Sequence, residues 1–486
     1  MVGSLSFLLL VASSSAMSMS ICDLDLVAGV CHVHLNHAGD SPMPKEVVRA
    51  VVDHTELEAK VGGYRAAEIA AGRLEKVYLS LSRLIGATDP GPQDPRDEIA
   101  LVESSTVAWT RAFYSMVETK EKELLRMSFP PQKELVILVS EVEYGANVVA
   151  AVRFARDHST INARIKWKVL RIPSSVACGR KTGLVDLPTF KSMLDGEFPL
   201  VEESSTTTYL DPKSIAIVCL THIPTNSGVV NPAREIGEMI SDYNKRHTTQ
   251  AGKLPLLYLL DACQSVGQMD LDVKELRCHG LCATGRKYLR GPRGTGFLFV
   301  RYEIASVLEP SHIDHAAAPV KQVITNENSL VGLGGKQEYQ RGARRFEFWE
   351  SNVANRLGLG LAADRALSIG MVTIERQCKQ RGRFLIEQLG AIDGVEIHHV
   401  HSSNCGIVTF AVAGVDAIEV KRRLMKGFLI GDKLHCFHVS TCPGTSTPLD
   451  GVDRDILRAS CSYFNTDLEL THFCDSLKLI ADESRD

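Results

Sequence analysis

The sequence predicts an α/β protein. A large unit, a mostly parallel sheet between helices, is joined to a smaller α+β unit. Three observations predict it. Strand-length apolar runs alternate with helix-periodic segments through the middle of the chain. Those runs are apolar at consecutive positions, as expected of strands buried on both faces. The last third then changes to a mixed pattern of one long helix, short strands and further helices. At ~150 residues per domain, the 486 residues give a prior of about three domains.

The elements follow in order. Residues 1–20 hold a short apolar run, Leu5 to Ala12, then Ser13-Ser14-Ser15-Ala16, like the core and cleavage zone of a signal peptide. No Lys or Arg precedes the run. A signal or transit peptide and a plain extension are both compatible with it, and cytoplasm is the expected compartment. Strands are expected at 99–102, 135–139, 168–172, 215–220, 256–260 and 297–300. A helix is expected over 147–157, where Val148, Ala151, Val152 and Ala155 share a face. Another starts near Pro232 and carries Ile236, Met239, Ile240 and Tyr243 at i, i+3, i+4, i+7. The last third predicts one long helix over 364–390 and strands at 394–400 and 405–412. A helix near 416–426, a strand near 456–463 and a closing helix from Asp467 follow. Pro443 to Pro448 is the expected mobile loop.

Composition excludes several classes. The chain is 44% hydrophobic and 23% charged, near the globular average. Lys+Arg 54 against Asp+Glu 58 leaves no basic excess for nucleic acid. No apolar run approaches the ~18 residues of a membrane span. The 13 cysteines are an odd number spread over a long chain, so most are expected to be reduced core residues. Cys278-His279-Gly280-Leu281-Cys282 lacks metal-site spacing, and no metal is expected.

The chemistry concentrates in two stretches. The apolar strand Leu259-Leu260 ends in Asp261-Ala262-Cys263-Gln264, at the edge where open α/β sheets bind ligands. Lys287 lies 26 residues later in the Gly-rich loop Thr284-Gly285-Arg286-Lys287. An acid at a strand end and a loop Lys are what pyridoxal phosphate chemistry needs. The Lys forms a Schiff base with the cofactor aldehyde, and the carboxylate keeps the pyridine nitrogen protonated. Taken singly, these residues would be a helix cap and a solvated loop charge.

From about His32 to about Thr466 the chain resembles class V aminotransferases, a group of fold-type-I pyridoxal phosphate enzymes that includes cysteine desulfurases, selenocysteine lyases and an epimerase. Asp261-x-x-Gln264 matches the family's D-x-x-Q, and Thr284-Gly285-Arg286-Lys287 matches S-G-H-K. The resemblance implies a seven-stranded, mostly parallel sheet in a large cofactor domain at 44–355. The small domain combines 21–43 with 356–486. It also implies pyridoxal 5'-phosphate as cofactor, an amino-acid substrate, and a homodimer with shared active sites. Neither nucleic acid nor membrane is expected as a partner.

The implied roles are these. Lys287 is the catalytic Schiff-base lysine and proton-transfer base. Asp261 pairs with the pyridine nitrogen, and Gln264 with the phenolic oxygen. Thr284, Ser104 and Ser105 serve the phosphate, the serines from a helix N-terminus. Arg286 replaces the usual His and could still reach the phosphate. Tyr144, in Glu141-Val142-Glu143-Tyr144-Gly145-Ala146-Asn147, replaces a His that stacks on the cofactor. Thr225 and Asn226 both fall near the family's cofactor-binding Asn, and spacing does not choose between them. Arg458 clamps the substrate carboxylate, with Asn36 assigned to the substrate as well. Ser351 replaces a Thr that relatives deliver to the neighbouring subunit's phosphate.

Within the family, Val61 to Glu68, Tyr144, Arg286 and Phe346 to Ala354 together look most like hercynylcysteine sulfoxide lyases of ergothioneine biosynthesis. The expected reaction is β-elimination to ergothioneine, pyruvate and ammonia. A cysteine desulfurase or selenocysteine lyase is the alternative, needing a thiolate for which Cys436 and Cys442 are candidates. Both are taken as structural. An epimerase or aminotransferase would use the same cofactor.

Overall fold

The structure is a computed structural model. It describes residues 29–87, 94–126, 133–161, 164–177, 179–200, 208–247, 254–318, 324–325, 333–334, 338–398, 404–442 and 455–485. Residues 1–20 and the loop from Pro443 to Pro448 therefore lie outside the described residues.

Strand β1 (Val30–His34) is followed by helices α1 (Lys45–Val61) and α2 (Gly63–Leu84). The central unit then runs β2 (Ile99–Val102), α3 (Ser105–Leu125), β3 (Lys133–Ser140), α4 (Gly145–Ile161) and β4 (Ile165–Ile172). It continues through β5 (Ile215–Thr221), α5 (Ala233–His247), β6 (Leu257–Asp261), β7 (Gly280–Thr284) and β8 (Gly296–Val300). These seven strands form one sheet in the order β2-β8-β7-β6-β5-β3-β4. All neighbours are parallel except β8, which runs antiparallel to β7 and β2. The expected fold is therefore present. Strands β5 to β8 are buried at every position. The two faces of the sheet feed two separate apolar clusters under different helices, which is why the runs do not alternate.

The C-terminal region begins with α6 (Val353–Ile369) and α7 (Met371–Gly390). The single helix expected over 364–390 is thus two helices. Gly370 breaks it with φ +91, a left-handed backbone that glycine tolerates, and the axes bend by 82°. Next come β9 (Val395–His398), β10 (Ile407–Val412), α8 (Ala417–Lys426), β11 (Phe428–Ile430), β12 (Lys433–His438), β13 (Ser440–Cys442), β14 (Ile456–Ser460) and α9 (Asp467–Glu483). They form a four-stranded sheet, β9-β10-β14-β13, and a three-stranded one, β1-β12-β11. Together with β1 they enclose a third apolar cluster. Helix α9 is capped by Thr466 and Glu469 in a reciprocal capping box.

Ten of the described cysteines are outside any disulfide, nine of them buried, and Cys31 is disulfide-bonded. His279 accepts a hydrogen bond from the Tyr258 N–H, so it is a satisfied core histidine. Among the described residues no single helix is long and apolar enough to cross a membrane.

Candidate active site

The parallel strands β2, β3, β5, β6 and β7 all deliver chemistry at their C-terminal ends, where such sheets bind ligands. Asp261 ends β6 with Thr221 of β5 and Cys282 of β7 as its register partners. One cavity at this edge brings together Ser104, Ser105, Tyr144, Asp261, Thr284 and Lys287. Thr225, Gln264 and Arg286 line it too. Residues far apart in the chain meet because each follows a different strand of one sheet.

Asp261 is held from two sides. Its Oδ1 accepts the Cys263 N–H at 2.9 Å, and its Oδ2 accepts from Asn147 Nδ2 at 3.1 Å. Burial raises its pKa, opposed by those hydrogen bonds and by the charge of Lys287. A cationic ring nitrogen would compensate this buried carboxylate. Cys263 lies beside Asp261 in the cavity wall, and burial pushes its thiol up.

Ser104 caps α3, its Oγ accepting from the Val107 N–H. Ser105 Oγ is buried and has no hydrogen-bond partner. The approach of β8 to this helix terminus needs glycine. A Cβ on Gly296 would lie 2.8 Å from the Ser104 carbonyl carbon and 3.0 Å from the Ser105 nitrogen. Tyr144 is 45% exposed at the cavity mouth, where an aromatic face is free to stack.

Thr225 and Arg458 form the other end. Arg458 Nη1 donates to the Thr225 hydroxyl at 2.7 Å and carbonyl at 3.0 Å, and Nη2 donates to Asn36 Oδ1 at 3.1 Å. Gln264 Nε2 donates to the same Thr225 hydroxyl at 2.7 Å and to the Ala38 carbonyl. Thr225 rather than Asn226 thus presents to the cavity, while Asn226 is buried elsewhere. Gln264 Oε1 and Arg458 Nε are buried without partners. Orphaned groups of this kind are costly unless a ligand satisfies them. Ser105 Oγ suits a phosphate, Gln264 Oε1 can accept from a phenolic hydroxyl, and Arg458 Nε can donate to a carboxylate. These residues fit pyridoxal phosphate and an amino acid.

Ser351 is not brought to this cavity. It lines a separate groove with Glu58, Tyr64 and Trp349.

Sequence reasoning passed over Arg290. This non-glycine residue has φ +63 and follows Lys287 by three. Its Nε donates to the Pro42 carbonyl at 2.9 Å, its Nη1 donates to the Tyr463 hydroxyl at 3.0 Å, and its guanidinium lies 4.0 Å over the Phe464 ring. It ties the lysine loop to both the N-terminal and C-terminal segments. Only the unusual Arg in Tyr288-Leu289-Arg290-Gly291 hinted at this.

A family model described as aminotransferase class-V matches residues 192–473, more than half of the chain. The chain belongs to the aminotransferase class-V family. Membership makes it a pyridoxal-phosphate-dependent enzyme of the fold-type-I architecture. A protein of Methanothermobacter thermautotrophicus named a probable cysteine desulfurase is 23% identical over 455 residues, covering 93% of this chain and 95% of that one. Among solved structures, the apo cysteine desulfurase of Thermococcus onnurineus superposes with a TM-score of 0.69 at 20% identity, covering 93% and 94% of the two chains. The cystine C–S lyase C-DES, in complex with its product cysteine persulfide, gives 0.64 at 17% identity, covering 92% and 97%. At these identities the structural likeness is one of fold.

Proposed function

We propose that this class V enzyme cleaves the Cβ–S bond of a cysteine-derived α-amino acid. The first reading is removal of sulfur from cysteine. The observation that carries it is the position of Cys442. In the register of β13, β14 and β10, Ser440 and Thr409 oppose Arg458, while Cys442 opposes Ile456. Cys442 therefore sits on the Arg458 face, two residues along and so about 7 Å away, and it packs with Ala411 and Ile456. Cys436 lies in the other small sheet with its Sγ toward the Lys426 carbonyl. The names of similar proteins support the same reading.

Bound in the cavity, pyridoxal phosphate supplies an electron sink that makes the substrate Cα–H acidic. Arg458, pre-set by Thr225 and Asn36, binds the substrate carboxylate. Lys287 would hold the cofactor at rest and, once free, carry the Cα proton. Asp261 would hold the proton on the ring nitrogen, and Tyr144, at the cavity mouth, would stack on the ring. In the first reading the Cys442 thiolate attacks the substrate sulfur, an S–S bond forms as the Cβ–S bond breaks, and the electron pair left on carbon takes up a proton, so that a Cys442 persulfide and alanine result.

A second reading, β-elimination from hercynylcysteine sulfoxide, draws on Tyr144 and Arg286 and on the Phe346 to Ala354 motif. A sulfenate leaves without a protein thiolate, and Cys442 is only 2% exposed. In either reading a second copy of the chain would cover the Ser351 groove, whose Tyr64 and Trp349 are exposed, and make the enzyme a homodimer.

The test supplies the yellow holoenzyme with cysteine and with hercynylcysteine sulfoxide. Persulfide formed from cysteine and lost in Cys442→Ala supports the first reading. Pyruvate and a sulfenate from the sulfoxide, reduced to ergothioneine by an added thiol, with Cys442→Ala unaffected, replace it by the second. Visible absorption retained in Lys287→Ala would sink both.

A further inference from the structure

Glu143 lies outside every role described so far, yet it is among the most heavily bonded side chains in the protein. It is 4% exposed and follows β3, one residue before Tyr144. Its Oε2 accepts from the Thr221 N–H at 2.8 Å and from Ser140 Oγ at 2.9 Å. Its Oε1 accepts from Asn147 Nδ2 at 2.9 Å and from the Thr221 hydroxyl. Four hydrogen bonds are what an ionised carboxylate can accept. Their direction is set. The Thr221 hydroxyl already accepts from the Tyr144 N–H at 3.2 Å, so its own proton points to Glu143.

The Asn147 amide has two protons. One goes to Glu143 and the other to Asp261 Oδ2 at 3.1 Å. A single carboxamide therefore joins two buried carboxylates. From the geometry of an NH₂ group their oxygens are about 5 Å apart. Glu143 makes no ion pair with Lys, Arg or His among the described residues. The groups that face it are Asp261, Thr221, Asn147 and Ser140, with the Cys219 thiol and Tyr258 hydroxyl further off.

We propose that Glu143 is a positioning residue for the cofactor's ring nitrogen, acting through Asn147 on Asp261. It has two effects. It fixes the amide rotamer, so Asp261 Oδ2 is aimed by a donor that cannot swing away. It also adds a second negative charge behind Asp261, which strengthens the hold of that carboxylate on a ring N–H⁺. Two charges at this separation raise each other's proton affinity. The proposal rests on Asp261 facing the ring nitrogen and not on which C–S bond is cleaved.

The test loads the full-length enzyme with ring-¹⁵N pyridoxal phosphate. It reads the nitrogen's chemical shift and the cofactor dissociation constant. In Glu143→Gln the shift is expected to move toward the deprotonated value, and the cofactor to bind on the order of tenfold more weakly. Asn147→Leu should change both in the same direction, and Glu143→Gln should have a smaller effect in the Asn147→Leu background than alone, the remainder being the carboxylate's charge. An unchanged shift and affinity in Glu143→Gln would overturn the proposal, as would additive effects in the double variant. If Glu143→Gln does not fold, an unchanged shift in Asn147→Leu overturns it as well. Asp261→Asn separates the two levels. If that variant leaves the shift unchanged, the assignment of Asp261 falls and this proposal falls with it.

Discussion

Replacing Gly267 by alanine tests how the Lys287 loop is held. Gly267 lies three residues after Gln264 and has φ +90. A Cβ there would stand 2.3 Å from Leu289 N, 2.5 Å from Tyr288 C and 2.6 Å from Leu289 Cα. All three are backbone atoms of the segment that carries Lys287, so that segment would have to shift. Two costs combine. An L-residue in a left-handed backbone costs about 1–2 kcal/mol, and forcing atoms into a packed site costs about 1–3 kcal/mol. The expected destabilisation is therefore about 2–5 kcal/mol. Function should suffer too, because a misplacement of ~1 Å at a reacting group can cost ~10²-fold in rate. Urea unfolding of the apoenzyme and holoenzyme measures the first effect, and cofactor affinity with turnover measures the second. Gly294→Ala is the control. Gly294 has φ +75 but nothing within 4 Å of its would-be Cβ, so it carries only the backbone cost. If the two variants were equal in stability and cofactor affinity, the contact between Gly267 and Leu289 would not hold the loop.

Three further outcomes are expected. Arg458→Lys keeps the charge but loses the fork that reaches both Thr225 and Asn36, so kcat/KM should fall about 10–100-fold, and a value within twofold of wild type would refute the carboxylate role. Arg290→Ala removes the ties to Pro42, Tyr463 and Phe464 and should lower stability by about 1.5–3 kcal/mol in urea melts, against no change if those contacts are incidental. Burial holds His222 down at about 4 and His279 at about 3. Both are neutral in the folded protein, while the unfolded chain takes up protons below ~6.5. Stability is thus insensitive to them above that pH and falls as pH drops toward 4, by about 1.4 kcal/mol per unit for each. His222→Gln should remove one such increment from the slope between pH 6.5 and 4.5, and an unchanged slope would contradict it.

Much of the fold was legible because burial writes itself into local pattern. The run at 215–220 became β5, one residue longer, and the i, i+3, i+4, i+7 face at 236–243 became the buried face of α5. The break at Gly370 was not legible, because the apolar periodicity runs through it and only the turn itself demands a left-handed residue. Cys436 and Cys442 looked equivalent in the chain, six residues apart. They fall in different sheets, and only the pairing of β13 with β14 puts Cys442 on the Arg458 face.

The sequence by itself determined the α/β class, the cofactor chemistry and most residues that line the candidate cavity, because strand-end motifs pair residue types with fixed spacing. The tertiary structure alone decided which neighbours those residues have. It placed Thr225 rather than Asn226 on the cavity wall, set Gly267 against the backbone of Leu289, bent Arg290 over Phe464, and joined Glu143 to Asp261 through one amide. The physical reason is that each of these contacts links segments far apart in the chain. Their geometry depends on strand order and register, which no local pattern encodes.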